Sequence, residues 1–266
     1  FDSQAYFVPP GGNTRERNRG RAIMAGGMAY PTANTNIIEM LEIQSGGMTQ
    51  DFGDLITKTS TSGPVSSSTR GVIVSGLAPS ARTNAIEFVT IASTGNATDF
   101  GDYVSPLGYV GGVSNETRGV TCGGSGPSSP TGTDQMAYIT IATAGDATNF
   151  GDLSGNAQGA MGVQSSTRGV FNLGYADSSF VNTIEFITIA TTGDTTDFGD
   201  LVTPGFYNFG TSNKIRGIFQ GRLTTAPYTG DPMIDSVTIA TLGNAVEWGE
   251  MYRMDSGPHD GQALVR

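Results

Sequence analysis

The sequence predicts an all-β chain of about five four-stranded antiparallel blades set side by side, on three observations. An Arg-Gly pair heads a hydrophobic run at Arg19, Arg70, Arg118, Arg168 and Arg216, at intervals of 51, 48, 50 and 48 residues. An aromatic-centred triplet closes each unit: Phe52-Gly53-Asp54, Phe100-Gly101-Asp102, Phe150-Gly151-Asp152, Phe198-Gly199-Asp200 and Trp248-Gly249-Glu250. From each aromatic to the next register arginine is 18 residues, and Phe1 to Arg19 and Trp248 to Arg266 keep the same count. Tandem units of roughly 40–50 residues that each hold about four short strands indicate a β-propeller, in which neighbouring blades bury one another's apolar faces.

Within a unit the elements follow in order. Arg70–Val74 and Arg168–Phe171 are short β-branched or aromatic runs ending near glycine. Ala85–Ala92 and Thr183–Ala190 are strand-length and rich in Ile, Phe, Val and Thr. Thr94-Gly95-Asn96 and Thr192-Gly193-Asp194 supply turn residues that tolerate positive φ and lead into the aromatic strand. The remaining strand is expected in the 18-residue interval, around Tyr103–Gly112. The repeats run about 1–52, 53–100, 101–150, 151–198 and 199–248 of a single domain, 1–266. Residues 249–266 form a partial repeat or an exit segment, and Phe1–Arg19 is expected to lend a strand to blade one. A sixth blade completed beyond Arg266 is the competing reading.

Composition agrees and narrows function. Glycine supplies 39 of 266 residues, about 15% against a usual share of about 7%, which argues against helical bundles. With a net charge of −10 and a pI near 4.4, no general attraction for nucleic acid or anionic lipid is expected. No apolar run reaches the ~18 residues of a membrane-spanning helix. A single cysteine, Cys122, excludes an internal disulfide framework, and a single histidine, His259, leaves little for His-based catalysis. The chain opens at Phe1 without a signal-peptide pattern, and we read it as a processed product or a portion of something longer.

The order arginine, short strand, Gly-Gly, loop, strand with carboxylate, turn, aromatic resembles the kelch propeller repeat across essentially the whole chain. Gly26-Gly27 and Gly123-Gly124 keep the kelch glycine pair, and Trp248 matches its tryptophan. Gly76-Leu77, Leu173-Gly174 and Gly221-Arg222 depart from it. The wording of residues 90–102, Thr-Ile-Ala-Ser-Thr-Gly-Asn-Ala-Thr-Asp-Phe-Gly-Asp, also resembles repeats in virion proteins of tailed bacteriophages such as cyanophages. That resemblance implies a tail fibre, spike or decoration role within an extracellular particle.

Candidate residues divide in two. Arg19, Arg70, Arg118, Arg168 and Arg216 recur in every unit, so they read as scaffold rather than site. Their expected partners are the carboxylates 13 residues before each aromatic, Glu39, Glu87, Glu185 and Asp235, since a guanidinium fork suits buried carboxylates. Ala137 interrupts that set, leaving its blade without the group or dependent on Asp134. Length varies between arginine and carboxylate, so loops there are the recognition candidates: Tyr30, Arg82, Tyr175, Phe180, Arg222 and Tyr228. Aromatics and arginine are favoured at recognition hot spots. Asp99/Asp102 and Asp194/Asp197/Asp200 are explained by turns, and no metal or other cofactor is expected. The alternating Arg15, Arg17, Arg19 and Arg21 read as a solvated edge. The function expected is a non-enzymatic virion structural protein contacting other virion proteins or host-surface glycan, with self-association open and no nucleic acid or membrane partner. A cellular or secreted kelch-like binding module is the alternative, and a carboxylate-based glycoside hydrolase the third.

Overall fold

The structure, a computed structural model, describes residues 5–7 (backbone only), 20–29, 33–43, 47–127, 131–206, 208–224 and 230–251. The described residues form strands and connections without a helix, in five small antiparallel sheets arranged as a five-blade β-propeller. From inner to outer strand, blade one is Ala5–Phe7, Arg21–Ala25, Ile37–Glu42 and Gln50–Asp54. Blade two is Gly63–Ser66, Arg70–Leu77, Arg82–Thr90 and Thr98–Asp102. Blade three opens with Gly111–Ser114, Arg118–Cys122, Thr133–Thr140 and Thr148–Gln158. Blade four is Met161–Gln164, Arg168–Asn172, Thr183–Thr188 and Thr196–Asp200, and blade five Phe209–Ser212, Arg216–Leu223, Gly230–Thr238 and Val246–Glu250. The inner strand of blade three is thus Gly111–Ser114, and most of the expected 103–112 span is the connection leading into it.

Both faces of the second strands of blades two, three and four are covered, which is why Val72, Ile73 and Val74 are all buried and the run is continuously apolar instead of alternating. The glycine of the Arg-Gly pair follows from that packing. A Cβ on Gly119 would stand 2.5 Å from Val65 of the preceding blade, on Gly169 2.5 Å from Val113, and on Gly217 2.4 Å from Val163. Around the axis the inner strands are stitched by side chains: Ser66 N donates to Ser114 Oγ (3.1 Å), Ser114 N to Gln164 Oε1 (2.5 Å) and Gln164 N to Ser212 Oγ (3.0 Å).

The aromatic triplet and the turn form the outer lock between blades. The N–H of Gly95, Gly145, Gly193 and Gly243 donates to the carbonyl of Phe52, Phe100, Phe150 and Phe198 of the preceding blade at 2.6–2.8 Å. Alongside, the N–H of Asp54, Asp102, Asp152 and Asp200 donates to Oδ1 of Asn96, Asp146, Asp194 and Asn244 at 2.9–3.1 Å. The Asn or Asp side chain of each of these turns, Asp194 among them, is therefore a lock acceptor. The triplet glycine has φ of +142° to +151° in these four blades, and its missing Cβ admits the partner backbone.

The first repeat differs from its expected register. Ile43 N donates to Gly20 O as Ile91 N does to Thr69 O, so Arg21, paired with Glu42, is the counterpart of Arg70. Arg19 lies outside the described residues, as do Arg15 and Arg17. The N-terminal strand does join blade one, with Phe7 opposite Ile23 as Val65 is opposite Val72. It is joined to the second strand across residues 8–20, where blade two uses only 67–69, so the Phe1–Arg19 count does not reflect equivalent positions.

Among the described residues, four apolar cores join the blades one to two, two to three, three to four and four to five; none joins five to one. Phe52, Phe100, Phe150 and Phe198 are each 2% exposed, whereas Trp248 is 57% exposed. Ile43 is 48% exposed, against 1% for Ile91.

Candidate functional site

Among the described residues, the register arginines do not pair with the register carboxylates, which corrects the sequence expectation. Arg70, Arg118 and Arg168 each send Nη1 to the carbonyl of an isoleucine at the next blade's turn, Ile141, Ile189 and Ile239, at 3.0–3.2 Å. Arg21 does the same to Ile91 (2.9 Å) while its Nε contacts Glu42 Oε1 at 2.8 Å. The guanidinium carbons of Arg70, Arg118 and Arg168 lie 4.3–4.4 Å from the ring centroids of Phe88, Tyr138 and Phe186, and that of Arg216 5.5 Å from Trp248. Carbonyl acceptance and a ring face use the charge at the outer edge without burying a carboxylate there. Arg21, Arg70, Arg118 and Arg168 thus bridge neighbouring blades by a different contact from the one expected.

Glu87, Glu185 and Asp235 instead hold the outgoing connection of the preceding blade, whereas Glu39 meets a residue of its own blade. Glu87 accepts from the N–H of Ile56 (2.8 Å) and Thr57 (2.9 Å). Glu185 accepts from the Ser154 N–H and hydroxyl and from Thr195 Oγ1 (2.5 Å). Asp235 accepts from Val202 N (3.1 Å), and Glu39 from Thr49 Oγ1 (3.1 Å). In blade three, where Ala137 lacks the group, Gln135 Oε1 accepts from Ser105 Oγ (3.2 Å), while Asp134 is exposed.

Burial pushes the Glu87 carboxyl above its ordinary value, against the lowering pull of the Ile56 and Thr57 N–H groups. A carboxyl raised on folding takes up its proton more readily when folded, so its contribution to stability is most favourable at low pH. That contribution declines as pH rises from the unfolded-state value through the folded one. Urea unfolding should therefore show the stability of the wild type relative to Glu87→Gln shrinking between pH 4 and 7. A constant difference would contradict it. Burial likewise pushes the Cys122 thiol well up, consistent with a packing side chain in the blade three core.

The loop candidates separate. Tyr30 and Tyr228 lie outside the described residues. Arg222, expected on a recognition loop, is 2% exposed. Its Nη1 contacts Asp235 Oδ2 at 2.9 Å and its Nε contacts Asp231 Oδ2 at 3.1 Å. It is an interior ion-pair residue. Arg82 is half-buried and donates from Nη2 to Ser125 Oγ (2.9 Å), linking the loops of blades two and three.

Tyr175 and Phe180 are brought together. The blade four loop folds into a hairpin, Tyr175–Ala176 against Ser179–Phe180, turned through Asp177 and Ser178 at φ +45° and +69°. Two successive positive-φ residues match the twist of a two-residue hairpin. The hairpin extends the blade three sheet through Ala176 opposite Ala157. Phe206, from the connection between blades four and five, completes the cluster: its ring centroid lies 6.0 Å from Tyr175 and 5.9 Å from Phe180, stacked on the latter at 15°. Tyr175 and Phe180 meet edge to face at 5.6 Å. All three are half-buried, and the Phe206 ring lies where a Cβ on Gly159 would be. Composition gave no reason to group Phe206 with the other two; its place in a connection beside the loop face was the available signal.

Two clefts among the described residues, of about 310 and 250 Å³, occupy equivalent positions in neighbouring blades and hold one carboxylate each, Asp146 and Asp194. Both carboxylates already accept lock hydrogen bonds. Among the described residues no three His, Cys, Asp or Glu side chains converge as a metal site, and His259 lies outside them. No family model matches the chain, and no curated protein matches it.

Proposed function

We propose that this chain is a non-enzymatic binding and structural module, a kelch-like propeller that contacts a glycan or protein partner through the loop face bearing Tyr175, Phe180 and Phe206. The observation that carries this reading is the aromatic cluster itself. Three half-buried rings are held by a hairpin and a glycine contact, a preorganised apolar platform of the kind that anchors hot spots. The Gly26-Gly27 and Gly123-Gly124 pairs support the kelch-like assignment. The repeat wording of 90–102 supports a tailed-phage virion as the setting, with the module as a tail fibre, spike or decoration component facing host glycan or a neighbouring virion protein.

Glycan-array binding of the wild type, compared with Tyr175→Ala and Phe180→Ala, tests the surface. Loss of a hot-spot ring costs about 2 kcal/mol or more, so about a 30-fold or greater weakening is expected. Binding unchanged in both variants would remove this face from the recognition role. Labelling of purified phage particles by an antibody raised against the chain tests the setting.

A further inference from the structure

We infer that blade five and blade one carry the two halves of a fifth blade junction, and that these halves mate between copies of this chain, head to tail. The inference is independent of what the loops bind. Blade five keeps the receptor half used at the other junctions. Arg216 heads its second strand, Trp248 and Gly249 occupy the triplet, and the site of a Cβ on Gly249 has no atom of the described residues within 4 Å. At Gly53, Gly101, Gly151 and Gly199 that site meets the next blade's turn backbone within 2.3–2.6 Å. The side chains that would line the junction are also left open: Ile234 is half-buried where Ile38, Ile86, Met136 and Ile184 are fully buried, and Trp248 and Phe209 are exposed.

Blade one presents the complementary half. Ile43 occupies the position of Ile91, Ile141, Ile189 and Ile239, all buried against a preceding blade. Ile43 is exposed, and Leu41 and Met24 beside it are half-buried. Among the described residues, one chain thus holds two unmated faces, each equivalent in position to a half of the four junctions within it. The copy-to-copy junction is weaker than those. Met48 stands where Asn96, Asp146, Asp194 and Asn244 supply the Oδ1 acceptor, and Ala22 stands at the register of Gly119, Gly169 and Gly217. Association should therefore be reversible and concentration-dependent. Because the two faces differ, the contact is heterologous and generates rings or open chains instead of a closed two-fold dimer.

Sedimentation velocity and emission from Trp248, the sole tryptophan, test this on the full chain. The expected result is growth in size with concentration, accompanied by a blue shift of the tryptophan emission. Trp248→Glu and Ile43→Glu alter side chains already exposed, and each alone should abolish growth. An equimolar mixture of the two should form a dimer and stop there, because each copy contributes its one intact face. A wild type that stays monomeric with unchanged emission overturns the inference. So does emission already blue at the lowest concentration in a monomer, which would mean the face is covered within one chain. Failure of the mixture to associate overturns the head-to-tail pairing.

Discussion

Gly151→Ala is expected to lower stability by about 4 kcal/mol, read as a shift in the urea unfolding midpoint. Two causes add. At φ +150° the residue lies in a region other residues enter at a cost of about 1–3 kcal/mol. The new methyl would also lie 2.3 Å from the Gly193 carbonyl oxygen, and overpacking of this kind costs about 1–3 kcal/mol. Relief by moving the blades apart would stretch the Gly193 N–H bond to Phe150 O, at 2.8 Å, and the Asp152 N–H bond to Asp194 Oδ1, at 3.0 Å. Gly249→Ala provides the control. Its φ is +159°, so the backbone cost is similar, but no partner stands opposite among the described residues. At concentrations where the chain is monomeric it should lose only the backbone part. Equal losses in the two variants would mean that the triplet glycine serves its own turn and not the junction.

The same contrast explains what could be read from the sequence. Blade number and strand order were legible because the 18-residue count from aromatic to arginine spans a connection that must reach the next inner strand, with little slack. The Arg-Gly pair was legible for a packing reason, since the glycine accommodates an inner valine of the preceding blade. In blade one no apolar core lies behind that position among the described residues. Ala22 follows Arg21 there, and a search for Arg-Gly stops two residues early at Arg19.

The partners of the arginines were not legible, because every residue carries a carbonyl and only the placement of the next turn selects Ile141 or Ile189 as acceptor. A carboxylate at a fixed interval was the visible candidate, yet its acceptor capacity was taken by backbone N–H groups that a sequence does not display. The loop face was legible in part. Tyr175 and Phe180 stand five residues apart in one variable loop, but Phe206 reaches them only through the path of the following connection.

Arg222→Met should cost about 3–5 kcal/mol, as expected when one partner of a buried ion pair is removed. The reason lies in a one-carbon difference between blades. In blade two the longer Glu87 side chain reaches both Ile56 N–H and Thr57 N–H of the incoming connection. In blade five the equivalent residue is Asp235, fully buried, and the backbone donor it meets is Val202 N–H. Arg222 supplies the missing second donor through Nη1 and ties in Thr203 by donating to its carbonyl at 3.1 Å. Asp231, which also accepts from Thr203 Oγ1 at 2.9 Å, shares the guanidinium. Methionine would fill much of the volume and supply no donor, leaving Asp235 desolvated with one hydrogen bond. Adding Asp235→Glu to Arg222→Met should recover about 1.5–3 kcal/mol, the range for a hydrogen bond to a charged group, by letting the longer carboxylate reach Thr203 N–H as Glu87 reaches Thr57. Urea unfolding of the wild type, both single variants and the double variant gives the coupling directly. Additive losses, with no recovery in the double variant, would show that Arg222 acts by packing against Gly205 and not as the donor that completes a short carboxylate.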